Sequence, residues 1–176
     1  MEEKSYKEYL NQITTFIFDV DGVLTDGTVT VTTSGEMLRR MSIKDGYALK
    51  TAVMKGYNVC IISGGTNEGV RKRLEGLSIT DIYLGAHHKV EQLDEYLAKK
   101  NIQLENVLYM GDDIPDVPVL KRVGLSCCPQ DAAYEVLEIC DYISHVDGGK
   151  GAARDVISQV MRVQGTWDKN FDAKYD

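Results

Sequence analysis

Two aspartates two residues apart, Asp19 and Asp21, follow the run Thr14-Thr15-Phe16-Ile17-Phe18 and open the turn Gly22-Val23-Leu24-Thr25-Asp26-Gly27. A carboxylate at a strand end can attack an electrophile, and a second on the same side of an extended chain can move protons for it. Two more apolar runs end in polar groups: Asn58-Val59-Cys60-Ile61-Ile62 in Ser63, and Asn106-Val107-Leu108-Tyr109-Met110 in Gly111-Asp112-Asp113. Carboxylates from two strand ends form a hard oxygen site that suits Mg²⁺, an ion that bridges readily to phosphate. With a lysine near the transferring group, such a set could move a phosphoryl group onto Asp19. Asp21 would then protonate the leaving oxygen and later deprotonate the hydrolytic water.

These groups meet only if the strands are parallel, because parallel sheets place their ligand sites beyond the carboxyl ends of the strands. The hydrophobic pattern predicts a short leading helix over Ser5 to Ile13, a buried strand into Asp19, and a β-hairpin at about 28–41. Helix at Lys44 to Lys55, strand at Asn58 to Ser63, helix capped by Thr66 and closed by Gly76, and strand at Asp81 to Leu84 follow. A helix at Lys89 to Lys100, a strand at Asn106 to Met110, a helix near Val117 to Val123 and a strand at Leu125 to Cys127 continue the alternation. A helix at Ala132 to Ile139, a strand at Tyr142-Ile143 and a helix of roughly four turns after Gly148-Gly149-Lys150-Gly151 complete it. The expected fold is α/β: a doubly wound, Rossmann-like parallel sheet flanked by helices, with a small hairpin and no cap domain. One domain over 1–164 and a polar tail over 165–176 are expected.

Composition sets limits on partners. Hydrophobic residues at 43% and charged residues at 27% suit a soluble globular chain rather than a disordered one. No apolar run approaches a membrane span, and Met1-Glu2-Glu3-Lys4 lacks a signal-peptide layout, so a cytoplasmic protein without membrane attachment is expected. A net charge of −7 disfavours nucleic acid, which needs clustered cations. Cys60, Cys127, Cys128 and Cys140 show no CxxC or zinc spacing and read as reduced thiols. His87-His88 has no evident third ligand, and Gly148-Gly149-Lys150-Gly151 lacks the GxxxxGK[ST] spacing of a nucleotide loop.

The segment Asp19-Val20-Asp21-Gly22-Val23-Leu24-Thr25, DxDG followed by Thr25, resembles the first motif of the haloacid dehalogenase superfamily phosphatases. Ser63, Lys89 and Gly111-Asp112-Asp113 match its later motifs in order. The resemblance implies catalysis by Asp19, Asp21, Ser63 and Lys89. It also implies Mg²⁺ held by the Asp19 side chain, the Asp21 backbone carbonyl and Asp112, with Asp113 in support. Ile43-Lys44-Asp45-Gly46-Tyr47, Pro118-Val119-Leu120-Lys121-Arg122-Val123-Gly124-Leu125-Ser126 and Gly148-Gly149-Lys150-Gly151-Ala152 are similar to a narrower group. These are the capless 3-deoxy-D-manno-octulosonate 8-phosphate phosphatases of lipopolysaccharide synthesis. That likeness implies a small sugar-acid phosphate as substrate and a homotetramer in which a neighbour helps close each site. It puts Asp21, Ser42, Ile43, Lys44, Asp45, Gly46, Lys50, Gly64, Gly65, Arg73 and Lys89 at substrate-contacting positions. Gly65 stands where many of the group carry arginine.

Two other readings share these features. One is a phosphatase of nine-carbon nonulosonate 9-phosphates. The other is a phospho-acceptor signalling module, which also carries strand-end aspartates and a lysine but lacks a proton-handling group two residues beyond its acceptor; Asp21 speaks against it.

Overall fold

The structure, a computed structural model, describes residues 5–167; residues 1–4 and most of the expected tail, 168–176, lie outside the described residues. Its main sheet has six parallel strands. Across its width run β5 (Asp81–Leu84), β4 (Asn58–Ser63), β1 (Thr15–Phe18), β6 (Val107–Met110), β7 (Leu125–Cys128) and β8 (Tyr142–Ile143). A separate antiparallel hairpin pairs β2 (Thr30–Val31) with β3 (Met37–Leu38), Thr30 opposite Leu38.

The period-2 geometry of strands sorts the apolar runs into two cores. Phe16, Phe18, Val59, Ile61, Leu108, Met110, Leu125 and Cys127 face α1 (Ile43–Met54), α2 (Glu68–Gly76) and α6 (Ala152–Val163). The alternate residues Ile17, Cys60, Ile62, Val107, Tyr109 and Cys128 face α3 (Lys89–Lys100), α4 (Val117–Leu120) and α5 (Tyr134–Leu137). Fully burying one such Phe or Ile side chain contributes about 1.5–3 kcal/mol. A sheet covered on both faces therefore needs runs without polar alternation, and β1 is buried at all four positions. The four cysteines are free, three of them buried, and burial pushes the Cys60 and Cys127 thiols well up.

Strand order gives β1 its importance. The chain runs outward from β1 to β4 and β5, then crosses back to β6 on the other side of β1. The crevice at such a reversal is where open α/β sheets hold ligands. Phe18 pairs with Ile61 on one side and Met110 on the other, so Asp19, Ser63 and Asp112 leave neighbouring strands at one edge.

Several boundaries differ from expectation. The leading segment forms two 3-10 turns, Tyr6–Glu8 and Leu10–Gln12, rather than an α-helix; so short a segment is marginal as a helix. Asn67, not Thr66, caps α2, its side-chain oxygen accepting from the Val70 amide at 3.0 Å. Gly76 is the last residue of α2 and Ser78 takes the left-handed turn, at φ 65°. The helix expected near Val117 to Val123 is shorter, preceded by a 3-10 turn over Ile114–Asp116 that starts on Asp113. Trp167, inside the expected tail, packs against the core beneath Arg154 and Arg162.

Candidate active site

The turn after β1 is wound tightly enough to fix both aspartates. The amides of Val23, Leu24 and Thr25 all return to the Val20 carbonyl at 2.9–3.2 Å. The buried Thr25 hydroxyl accepts from the amides of Gly22 (3.2 Å) and Gly27 (3.3 Å). Gly22 has φ +84°, and a Cβ there would lie 1.9 Å from Asp112 Oδ2, so only glycine lets the Asp112 carboxylate rest on the turn. Gly148 backs the same turn, where a Cβ would meet the Gly22 carbonyl at 1.9 Å, and Gly149 donates to the Val23 carbonyl at 2.9 Å. The Gly148-Gly149 pair is thus a backbone-to-backbone brace for the aspartate loop.

Asp19 is 7% exposed, its Oδ1 accepting from the Val20 amide at 2.6 Å and its Oδ2 meeting Lys89 Nζ at 2.7 Å. Lys89, at the start of α3, is equally buried and meets Asp116 Oδ1 at 2.7 Å on its other side. Asp116 has no exposed surface. It also accepts from the Tyr109 hydroxyl and from the amides of Asp112 (3.0 Å) and Asp113 (3.3 Å). Asp19, Lys89 and Asp116 therefore form a buried sandwich, with the lysine shared. Burial alone would lower the Lys89 ammonium, but Asp19 and Asp116 together raise it above the ordinary lysine value.

The carboxylates outnumber that one cation. Burial, then Asp116, pushes Asp19 up to about 6 against the pull of Lys89. Burial, then Asp19, Asp116 and Asp113, pushes Asp112 up to about 8. Oxygens of Asp19, Asp112 and Asp116 lie within 4.8 Å of one another. Asp116 is spent on Lys89, Tyr109 and two amides, whereas the half-buried Asp112 carboxylate accepts no hydrogen bond among the described residues. An orphaned carboxylate against a buried one, short of positive charge, fits a hard divalent cation such as Mg²⁺.

These shifts carry a stability prediction with a definite sign. A carboxyl raised from 3.8 to about 8 binds a proton in the folded state that it lacks in the unfolded chain. Folding thus loses stability as pH rises through that window, with the full penalty above it. Metal-free protein is expected to melt lower above about pH 8 than near about pH 5, and Asp112→Asn should remove most of the difference. Mg²⁺ should raise Tm more at the alkaline end. Thermal melts across pH with and without Mg²⁺ check this; a profile unchanged by Asp112→Asn would contradict it.

A cleft of about 400 Å³ opens on this edge, lined by Asp19, Asp21, Gly64, Gly65, His87 and Asp112 among others, with Ser63 and Lys89 in its wall. Asp113 is the residue expected to support the metal ligands. Asp113 is exposed and caps its own turn through the Ile114 amide at 2.8 Å, so the support beneath the site is Asp116. The Asp21 carboxylate pairs with Arg39 from the hairpin, at 3.0 and 3.3 Å. Arg39 had no signal in spacing, because it reaches the site from the far side of the hairpin.

The residues implied as substrate contacts divide. Gly64, Gly65 and Lys89 line the main cleft with Asp21. Ser42, Ile43 and Lys44 line a second cleft of about 400 Å³ with Asp26, Arg40 and Lys150. Asp45, expected as a substrate contact, lines neither: it is 2% exposed, its Oδ1 accepts from the Arg154 amide at 2.8 Å in the first turn of α6, and its buried Oδ2 has no hydrogen-bond partner among the described residues. Gly46 is buried beneath the Arg73 guanidinium, and Lys50 and Arg73 line neither cleft.

A strand-end aspartate beside a buried lysine and an acidic turn, at the reversal of a parallel sheet, defines the class of haloacid dehalogenase-like hydrolases, whose family model matches residues 75–154. The chain is 38% identical over 153 residues to the 3-deoxy-D-manno-octulosonate 8-phosphate phosphatase KdsC of Salmonella typhi, covering 87% of this chain and 81% of that protein. The chain belongs to that phosphatase family. The phosphatase of this kind from Yersinia pestis superposes with a TM-score of 0.89 at 34% identity, over 92% of this chain and 87% of that one. The one from Moraxella catarrhalis, solved with magnesium ion, phosphate ion and KDO, gives a TM-score of 0.89 at 28% identity, over 93% and 94% of the two chains. Among the described residues, no helix is long and apolar enough to cross a membrane.

Proposed function

We propose that the protein hydrolyses 3-deoxy-D-manno-octulosonate 8-phosphate to the free sugar acid and phosphate, with Mg²⁺, through a phosphorylated Asp19. The observation that carries the chemistry is the shared lysine, 2.7 Å from both Asp19 and Asp116, with the unpartnered Asp112 alongside. Asp19, Asp112 and the Asp21 backbone carbonyl would hold Mg²⁺. When bound, the ion supplies positive charge that screens the incoming phosphate from the carboxylates and leaves Asp19 ionised.

The chain's own groups then have defined tasks. Ser63 and the backbone of Gly64 and Gly65 hold phosphoryl oxygens at the end of β4. Asp19 Oδ attacks phosphorus as the bond to the sugar oxygen breaks, and Asp21 gives that oxygen a proton. Asp21 then takes a proton from water, whose oxygen attacks phosphorus, breaks the bond to Asp19 and frees phosphate. Lys89 keeps Asp19 oriented and offsets charge throughout, and Asp116 holds Lys89 in place. The phospho-acceptor signalling reading has no use for Asp21.

The substrate itself is supported by the relatives' names and by the KDO and phosphate in the Moraxella catarrhalis structure. A kcat/KM panel over eight-carbon and nine-carbon sugar-acid phosphates tests it. The eight-carbon acid is expected to lead by about tenfold or more, which is about 1.4 kcal/mol of transition-state discrimination. Equal rates would overturn the assignment.

We further propose that the enzyme works in the cytoplasm as a homotetramer joined through its hairpins. Val31 (64% exposed), Met37, Leu38 and Ile43 (71%) present apolar surface on and beside a two-stranded hairpin that pairs with no other strand among the described residues. Ser42, Ile43 and Lys44 of one chain would then serve a neighbour's site. Leu38→Asp with Val31→Asp should shift the sedimenting species to smaller size and raise KM for the sugar acid. Unchanged assembly would contradict it.

A further inference from the structure

We propose that Arg39 is a positioning residue for Asp21, fixing the direction of the carboxylate that handles the leaving group's proton and tying it to the hairpin. The inference rests on the role given to Asp21 above. The Asp21 side chain is 38% exposed at the cleft, whereas that of Arg39 is 11% exposed. The guanidinium meets Asp21 through two bonds, Nε to Oδ1 at 3.0 Å and Nη2 to Oδ2 at 3.3 Å, and its Nη1 donates to the Met37 carbonyl at 2.8 Å. A forked pair of this kind fixes the plane of a carboxylate, which a lysine's point charge does not.

The surroundings hold the clamp. Asn67, the cap of α2, donates to the same Met37 carbonyl at 3.1 Å, anchoring the return strand of the hairpin. A Cβ on Gly65 would lie 3.2 Å from Asp21 Oδ2 and 3.8 Å from Arg39 Nη2, so bare backbone leaves the pair its room. All three guanidinium nitrogens are engaged and the side chain is largely covered, which leaves it little to offer a substrate. Orientation is its contribution, and correct orientation of a reacting group accounts for large factors in rate.

Leaving-group dependence separates this from a structural role. An alkyl phosphate such as glycerol phosphate must have its alkoxide protonated as it departs, whereas the phenolate of dinitrophenyl phosphate needs no proton. Neither carries a carboxylate, and kcat/KM reports the steps up to departure of the leaving group. Arg39→Met is expected to lower kcat/KM about thirtyfold for the alkyl ester and less than about threefold for the activated one. Arg39→Lys should show the same discrimination at smaller size, and it serves if the methionine variant does not fold. In the Asp21→Asn background, Arg39→Met should add nothing for the alkyl ester. Equal losses on the two esters, or additive losses in the double variant, would overturn the assignment. If Asp21→Asn spares the alkyl ester, the role of Asp21 itself fails; if it does not and Arg39→Met fails to discriminate, only the role of Arg39 fails.

Discussion

Asp19→Asn is expected to lower kcat/KM for any phosphomonoester by at least about 10⁴-fold while leaving the fold intact. The amide nearly matches the carboxylate in shape, so it can still accept from the Val20 amide, but it offers phosphorus no nucleophilic oxygen that could carry the phosphoryl group. Nor should the metal-free protein be destabilised. Asp19 is a buried carboxylate already raised to about 6, and a neutral group there relieves Asp112, for which Asp19 is the foremost charge neighbour. Steady-state rates together with a thermal melt check this. A variant within about tenfold of the parent enzyme would show that another group accepts the phosphoryl.

Lys89→Ala should act on rate and stability together, because one ammonium serves two buried carboxylates. It lies 2.7 Å from Asp19 and 2.7 Å from Asp116 and is itself 5% exposed, so no solvent replaces it. Breaking a buried ion pair by removing one partner costs about 3–5 kcal/mol, since a buried charge is left uncompensated. The loss of a charge aimed at the reacting group is expected to cost about 10²–10³ in kcat. Asp19 would also rise further, because Lys89 is the cation that draws it down. Arginine should not rescue, as its planar fork does not fit a space shaped around one nitrogen between two carboxylates. Chemical denaturation and kcat measured on the same preparations test this; a variant that keeps kcat while losing stability would reduce Lys89 to scaffolding.

The parts of the site legible in the sequence are those that sit on buried strands. Asp19, Ser63 and Asp112 each end an apolar run, and such runs are recognisable because a sheet covered on both faces tolerates no polar alternation. The turn after β6 was harder to read, because three aspartates within five residues differ only in which way the backbone carries them. The 3-10 turn at Ile114–Asp116, started by Asp113 and Pro115, carries Asp116 back against Lys89 beneath the site and leaves Asp113 in solvent. Spacing does not encode that path. Arg39 was hidden for a related reason: it stands eighteen positions after Asp21 and meets it only because the hairpin folds back, and Arg40 beside it lines the second cleft instead. The Ser42 to Gly46 stretch reads as one contact segment in sequence, yet helix geometry sends Asp45 inward to the first turn of α6 and Ile43 outward into solvent.

The most direct test of the chemistry is to quench the full-length enzyme with acid during turnover of a sugar-acid phosphate with Mg²⁺, and to map the protein by mass. One phosphoryl group on the segment bearing Asp19, absent from Asp19→Asn, is the expected result. Turnover at the same rate with no phosphorylated protein at any quench time, or a phosphoryl group on a different residue, would contradict it.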